Sequence, residues 1–489
     1  MKRGAEMLAA GTVGAVLFAG AAIVGPLLAL GAVLGTAMTA AVYWYPIVGL
    51  GLMILTGTAL QVLGSEHLTG LPLSLGKVAG MVTLLTWALR SLLHRRPMTW
   101  SPQIGAFALF FVAVWLAGFI APDTGEAREA LFRYAQLFLL FFMIANIAGE
   151  SDRHLDQAIV AFTASMALSS MIGLAEYFLP ALSIEYDDSA LAKSSIGAQI
   201  DRVSLDGVEV KRITGGLGDS NWFSYTLVGV LPLNIYLFHR YAQPLARSLI
   251  LAAGALQSVC VVLSLTRSAM MALAVAIFVL LLRRRLPLMP LLLAAGIGVG
   301  AIFVWNPPGL QRIYSFEYAK VGSTPLRSWM LYGGVALILE QPVTGYGYNQ
   351  YGSNFLRWLG AQPGLDEAVE DWENEFFRLV ASGEERVEWV MPHNTLLQVW
   401  IEFGLLGMLA FTGFLWALLR DLGTSRRLGT PAQGELADCL LAATLGFLVC
   451  AMFGHLLLLK VVWMLGGLGA ALCRVSVAGA AADNGRRRG

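Results

Sequence analysis

Apolar runs of about twenty residues follow one another along this chain, and its charges collect in the breaks between them. A helix needs about 20 predominantly apolar residues to cross a bilayer core. The runs fall roughly at 8–24, 25–42, 45–63, 73–93, 104–120, 129–148, 155–179, 222–239, 247–266, 268–283, 290–305, 396–419, 436–458 and 460–474. Some at the two ends are short, so about twelve to fourteen spans are expected. Composition agrees: 57% of the 489 residues are hydrophobic and 13% are charged, with a mean hydropathy of +0.67. A soluble domain is about 25% charged. The fold class is therefore an all-α polytopic membrane protein.

The formal net charge of +1 argues against a nucleic-acid partner. The four cysteines, Cys260, Cys439, Cys450 and Cys473, lie in or beside apolar runs without metal-ligand spacing, and read as small core residues. The first apolar run flows into the next with no cleavage site, and reads as an anchor. Lys2 and Arg3, Arg95 and Arg96, Arg240 and Arg247, Arg283 to Arg285, Arg426 and Arg427, and Arg486 to Arg488 fall on one side when helices are counted. The excess of basic residues makes that side cytoplasmic, with both termini on it. The short opposite loop near Pro122 carries Asp123 and Glu126.

Two long connections then lie on the outer side. The expected organisation is helices over 1–180, an outer connection over 181–221, helices over 222–305, a large outer connection over 306–395, helices over 396–475 and a basic tail over 476–489. Connections of this length are usually functional or disordered. Within the larger one, PLRSWMLYGGVALILEQP runs from Pro325 to Pro342 and reads as an amphipathic helix. The stretch 364–389 is strongly acidic and carries Phe376, Phe377 and Leu379, which suits a solvated helix face.

Three short stretches gather chemistry on this outer side. In KRITGGLGDSNWFS, Arg212 precedes a glycine-rich turn, and Asp219, Ser220 and Asn221 open a helix. Free amides at a helix N-terminus beside an arginine suit an anion, although plain capping explains the same residues. In SLTRSAMM, Arg267 stands between two spans, where an ionisable residue marks a functional site unless it only snorkels to headgroups. In MPHNTLLQVWIEFGLLG, His393 and Asn394 precede a span that contains Glu402, which needs a partner at that depth. A histidine at a membrane edge can take a proton, or can simply cap a helix. His67 lies in an outer loop, His94, His154 and His239 lie beside basic clusters, and His455 reads as a core residue in an apolar run. The glycine alternation in GYGYNQYG, Gly345 to Gly352, has no strand before it and is no dinucleotide motif. No metal-binding spacing is present.

Taken in order, these stretches resemble the O-antigen ligase and polymerase superfamily of polytopic bacterial glycosyltransferases. KRITGGLGDSNWFS resembles its Arg-x-x-Gly…Asn segment and LTRS its helix junction. LRSWMLYGGVALILEQPVTGYGYNQYGSNF, with Arg327 and Tyr346 as supporting positions, resembles its periplasmic-loop signature. MPHNTLLQVWIEFGLLG matches its pattern of His-Asn, nine residues, then Gly. The resemblance covers mainly 200–420, and the acidic stretch 364–389 departs from it.

The resemblance implies transfer of a glycan from undecaprenyl pyrophosphate to lipid A-core at the periplasmic face of a bacterial inner membrane. It implies inversion at the anomeric carbon, with no cofactor and no metal ion. On that reading Arg212 and Arg267 bind the donor pyrophosphate, His393 is the catalytic base, and Asn394, Asn221, Arg327 and Tyr346 support them. A polymerase, whose acceptor is another lipid-linked glycan, and an oligosaccharyltransferase, whose acceptor is protein, stay open. A transporter of the same lipid would gather polar groups at mid-membrane. Here they gather at one interface, which favours chemistry.

Overall fold

A computed structural model of the chain describes residues 26–59, 74–95, 98–121, 124–179, 202–205, 208–286, 324–361 and 390–488. The helices among them are α1 (Pro26–Trp44), α2 (Pro46–Gly57), α3 (Leu75–Leu93), α4 (Pro102–Ala117), α5 (Thr124–Ile147), α6 (Asp152–Phe178), α7 (Ser220–Arg240), α8 (Pro244–Leu263), α9 (Arg267–Leu282), α10 (Thr324–Glu340), α11 (Tyr351–Gly360), α12 (Thr395–Leu428), α13 (Pro431–Ala451) and α14 (Lys460–Arg488). The protein is an all-α polytopic membrane protein. Six segments within these helices are each long and apolar enough to cross a membrane: Ala127–Glu150, Asp152–Phe178, Pro244–Leu263, Thr395–Leu428, Pro431–Ala451 and Lys460–Asp483. Pro102–Ala117 and Arg267–Leu282 are apolar but shorter. The candidate spans 8–24 and 290–305, and the acidic stretch 364–389, lie outside the described residues.

Two features depart from the sequence reading. The runs 25–42 and 45–63 form one sharply bent pair, α1 and α2, which turns by 119°. Pro46 lacks an amide hydrogen, and Tyr45 before it takes φ −129 and ψ 78, so the helix cannot continue. The connection over 181–221 also carries a hairpin, β1 (Arg202–Leu205) with β2 (Val208–Lys211), paired from Arg202↔Lys211 to Leu205↔Val208. Asp206-Gly207 between them is a favoured hairpin dipeptide, a signal that the reading passed over.

The core is an aromatic knot around Trp463 of α14. Its ring stacks on Phe107 of α4 at 4.0 Å and meets Phe110, Phe411 and Phe414. Its indole N–H donates to the Leu457 carbonyl at 2.8 Å, so the ring is buried with its polar atom satisfied.

The basic clusters meet at one end of the bundle. Asp438 at the start of α13 is 1% exposed and binds Arg285 (2.8 Å), Arg426 (3.2 Å) and Arg283 (3.7 Å) from the ends of α9 and α12. Arg240 at the end of α7 binds Asp156 at 2.9 Å, and the neighbouring His239 bonds Glu435. The other ends of α7, α9, α12 and α13 therefore point to the opposite face.

One span is deliberately broken. Gly404, inside α12, takes φ 62 and ψ −162, a region open essentially to glycine. The loop after α10 repairs the backbone there. Leu405 N donates to Val343 O (3.1 Å), Tyr346 N to Ile401 O (2.8 Å) and Gly347 N to Glu402 O (3.0 Å). A Cβ on Gly404 would sit 2.2 Å from Val343 O. Gly404→Ala should therefore cost at least the ~1–3 kcal/mol of a strained backbone, with the clash added. Thermal unfolding in detergent should show a clear fall in midpoint, whereas Gly413→Ala, with open space around it, should leave the midpoint unchanged.

Candidate functional site

The face opposite the basic clusters is built from the turn 212–219 and the starts of α7, α9, α10 and α12, together with the turn 452–459 between α13 and α14. Glu176, near the end of α6, organises the first of these. Its carboxylate accepts from Thr214 N (2.8 Å), Gly215 N (3.1 Å) and Thr214 Oγ1 (3.1 Å). Gly215 is required here: it takes φ 57, and a Cβ would lie 2.3 Å from the Phe223 ring. The sequence reading missed Glu176, although a carboxylate at the end of an apolar span is itself a signal.

The turn so held delivers Arg212, which is 3% exposed. Its Nε donates to Ser264 O (2.9 Å), and its Nη2 donates to Asn221 Oδ1 (2.9 Å) and Thr266 Oγ1 (2.8 Å). Arg212 thus clamps the start of α7 to the α8–α9 turn, with much of its donor capacity already used. Asn221 serves this clamp. Asp219 caps α7 by accepting from Trp222 N at 2.7 Å.

Arg267 begins α9, just after Leu265 in a left-handed conformation at φ 52. It is half-buried and has no hydrogen bond or ion pair among the described residues. The next residue, Ser268, is held by Tyr225 OH at 2.7 Å. Arg327 projects from the first turns of α10, and its Nε is buried without a hydrogen-bond partner. Burial lowers the pKa of its guanidinium, and the charges of Arg212 and Arg267 add to the effect. Three arginines are close enough to repel one another, a cost that a bound anion would relieve.

His393 stands at the mouth of α12 with φ 46, a conformation uncommon outside glycine. Asn394 follows as the N-cap, and its Oδ1 accepts from Leu396 N (3.0 Å) and Leu397 N (3.1 Å). Burial holds the His393 imidazole well below its ordinary pKa, with Arg327 and His455 adding to the shift. It is therefore neutral at physiological pH, the form that can take a proton. His455 faces it edge to face, with centroids 5.7 Å apart. The reading that made His455 a core residue rested on the run GHLLLL, in which nothing local shows that the turn brings it to His393.

Other predicted residues sit apart from this cluster. Tyr346 lies beyond the far end of α10, about 20 Å along the helix from Arg327 at 1.5 Å per residue. Its hydroxyl donates to Glu340 Oε2 at 2.8 Å, and Glu340 also binds Arg357 at 2.6 Å. A polar cavity of about 380 Å³ opens there between Glu340, Gln350, Asn354 and Arg357. Glu402 has Gln398 Nε2 as a partner at 3.0 Å.

Residues 252–412 match the family model for O-antigen ligase. The match spans Arg267, Arg327, His393 and Gly404, and leaves Arg212 and His455 outside it. No curated protein matches the chain.

The two predicted anion-binding arginines differ in their surroundings, and that difference is measurable. Removing Arg212 strands Asn221, Thr266 and the Ser264 carbonyl, and each charged hydrogen bond lost costs about 1.5–3 kcal/mol. Arg212→Ala should lower the thermal midpoint sharply. Arg267→Ala should lower it little or raise it, because an unpaired charge is removed. Equal destabilisation by the two would show that Arg267 has a structural partner.

Proposed function

We propose that this chain is an O-antigen-ligase-type glycosyltransferase, which moves a glycan from undecaprenyl pyrophosphate to lipid A-core at the periplasmic face of the inner membrane. The family match supports a transferase of ligase or polymerase type acting on lipid-linked glycan. The observation that carries the finer reading is one cluster: Arg267 and Arg327 without partners among the described residues, beside a neutral His393.

Arg267 and Arg327 hold the pyrophosphate. Arg212 contributes its positive field and keeps the turn in place. As the sugar–phosphate bond breaks, charge grows on the leaving oxygen, and fixed guanidinium groups in a partly dry site stabilise it without reorganising. The acceptor hydroxyl attacks the anomeric carbon from the opposite face and inverts it. His393 takes its proton, a step worth about 10²–10⁴-fold in rate. The reaction belongs at this end of the bundle because the donor's lipid tail keeps its reacting carbon near the interface. A polymerase would use the same cluster with a second lipid-linked glycan as acceptor, so products formed from the two acceptors separate those readings.

His393→Gln should fold, and should transfer glycan about 10²–10⁴-fold more slowly, because an amide cannot take the proton. Transfer at the parental rate would remove the base assignment. The pH profile follows from the lowered pKa. The base works only when unprotonated, so kcat/KM should hold at pH values below the ordinary histidine pKa of about 6.5 and fall only at lower pH. In Arg327→Ala a cause of the depression is gone, so the acid limb should move upward. An unmoved limb would separate His393 from that charge.

Orientation has its own check. Gly360 and Gly423 both have open space for a side chain; Gly360 follows Trp358, whose ring meets Trp329 in the first turns of α10, and Gly423 precedes Arg426 in the basic cluster at the other end. Gly360→Cys should react with an impermeant thiol reagent on intact spheroplasts, and Gly423→Cys only after lysis. The reverse pattern would place the site in the cytoplasm.

A further inference from the structure

His455 has no part in the reaction just described, yet it is built into the same unit. Thr395 lies two residues after His393, and its hydroxyl grips the chain on both sides of His455, donating to Gly454 O (2.7 Å) and accepting from Leu456 N (3.0 Å). Tyr225, which holds Ser268 next to Arg267, packs on the same turn, where a Cβ at Gly454 would lie 3.1 Å from its ring. The His455 ring sits between His393, at 5.7 Å, and Trp222, at 6.2 Å. Its Nδ1 is buried with no hydrogen-bond partner among the described residues. Leaving a buried nitrogen unpaired is costly, and a leucine would fill an apolar turn without that cost. A ligand that accepts or donates a hydrogen bond there removes the penalty.

The geometry points to His455 as a second catalytic histidine, which contacts the pyrophosphate leaving group and returns to it the proton that His393 takes from the acceptor. This rests on the transferase reading above. The bonds balance as follows. The acceptor O–H breaks as its oxygen bonds to the anomeric carbon, and the proton goes to His393. The bond from that carbon to the phosphate oxygen breaks, and its electron pair stays on the oxygen. The proton on His393 passes through one water, which can bridge groups set this far apart, to one ring nitrogen of His455, and the imidazolium so formed gives the proton on its other ring nitrogen to that oxygen. Both imidazoles end neutral, and one proton has moved from acceptor to leaving group. Burial lowers the pKa of both rings, with Arg327 adding to it, and Asp219 opposes the shift at His455.

The test has two arms on the purified full-length protein in nanodiscs, with thermal midpoints taken first to confirm that His455→Gln and His455→Ala are folded. In the first, inorganic pyrophosphate is titrated into the parent and both variants by calorimetry, which needs neither glycan nor acceptor. Loss of a hydrogen bond to a charged group should weaken binding by roughly tenfold or more. Equal affinity in parent and variants overturns the role of His455 while leaving the arginine site intact. No binding by the parent overturns both. In the second arm, transfer from lipid-linked glycan is followed with and without added imidazole. His455→Ala should be slower by about 10²-fold or more and should recover with imidazole, which a merely structural histidine would not do. Parental transfer by His455→Ala overturns the proposal.

Discussion

The splice at Gly404 is the constraint on which the half of the molecule opposite the basic clusters depends. A helix broken within a membrane bundle exposes backbone groups that lipid cannot satisfy, at a cost of several kcal/mol each. Here those groups are taken up by the loop after α10, through Val343, Tyr346 and Gly347. The exchange fixes the far end of α10 against α12. It thereby sets where the near end of α10, with Arg327, meets the near end of α12, with His393. Gly345 and Gly347, both at positive φ, belong to this repair, since a Cβ on Gly345 would lie 2.6 Å from Gly404 N. A glycine pattern without value as a nucleotide motif is thus a backbone device.

Charge is distributed with the same economy. At the basic end each buried carboxylate is surrounded: Asp438 by three arginines, Asp156 by Arg240 and Tyr236. Removing one partner of such a pair leaves an uncompensated charge, and costs far more than a surface ion pair does. At the other end the balance is inverted. Glu176 is committed to the backbone of the turn and Asp219 caps α7, while Arg267 and Arg327 stay unneutralised among the described residues. A positive surplus next to two imidazoles suits the anionic leaving group of the proposed reaction.

Much of this was legible in the amino-acid order. Apolar run length specified helices in a membrane, because a lipid environment leaves the backbone few alternatives. The positions of arginine separate the two ends of the bundle, and isolated polar residues at run ends pick out Arg212, Arg267 and His393, which the structure gathers at the end opposite the basic clusters. Pro46 and Asp206-Gly207 are equally readable local signals, of a bend and of a hairpin. What only the tertiary structure decided was how these residues divide their work. Arg212 and Arg267 look alike in sequence, yet one is engaged by Ser264, Asn221 and Thr266 and the other has no hydrogen bond or ion pair among the described residues. His455 reads as apolar core until Thr395 places its turn beside His393, 62 residues earlier in the chain. Tyr346 reads as a neighbour of Arg327, whereas the structure places its hydroxyl on Glu340 at the far end of α10. Hydrophobic periodicity and turn chemistry act over a few residues, so the sequence can state them alone. The partner of a polar side chain is chosen by whichever helix ends the packing brings together, and no local stretch of sequence contains that choice.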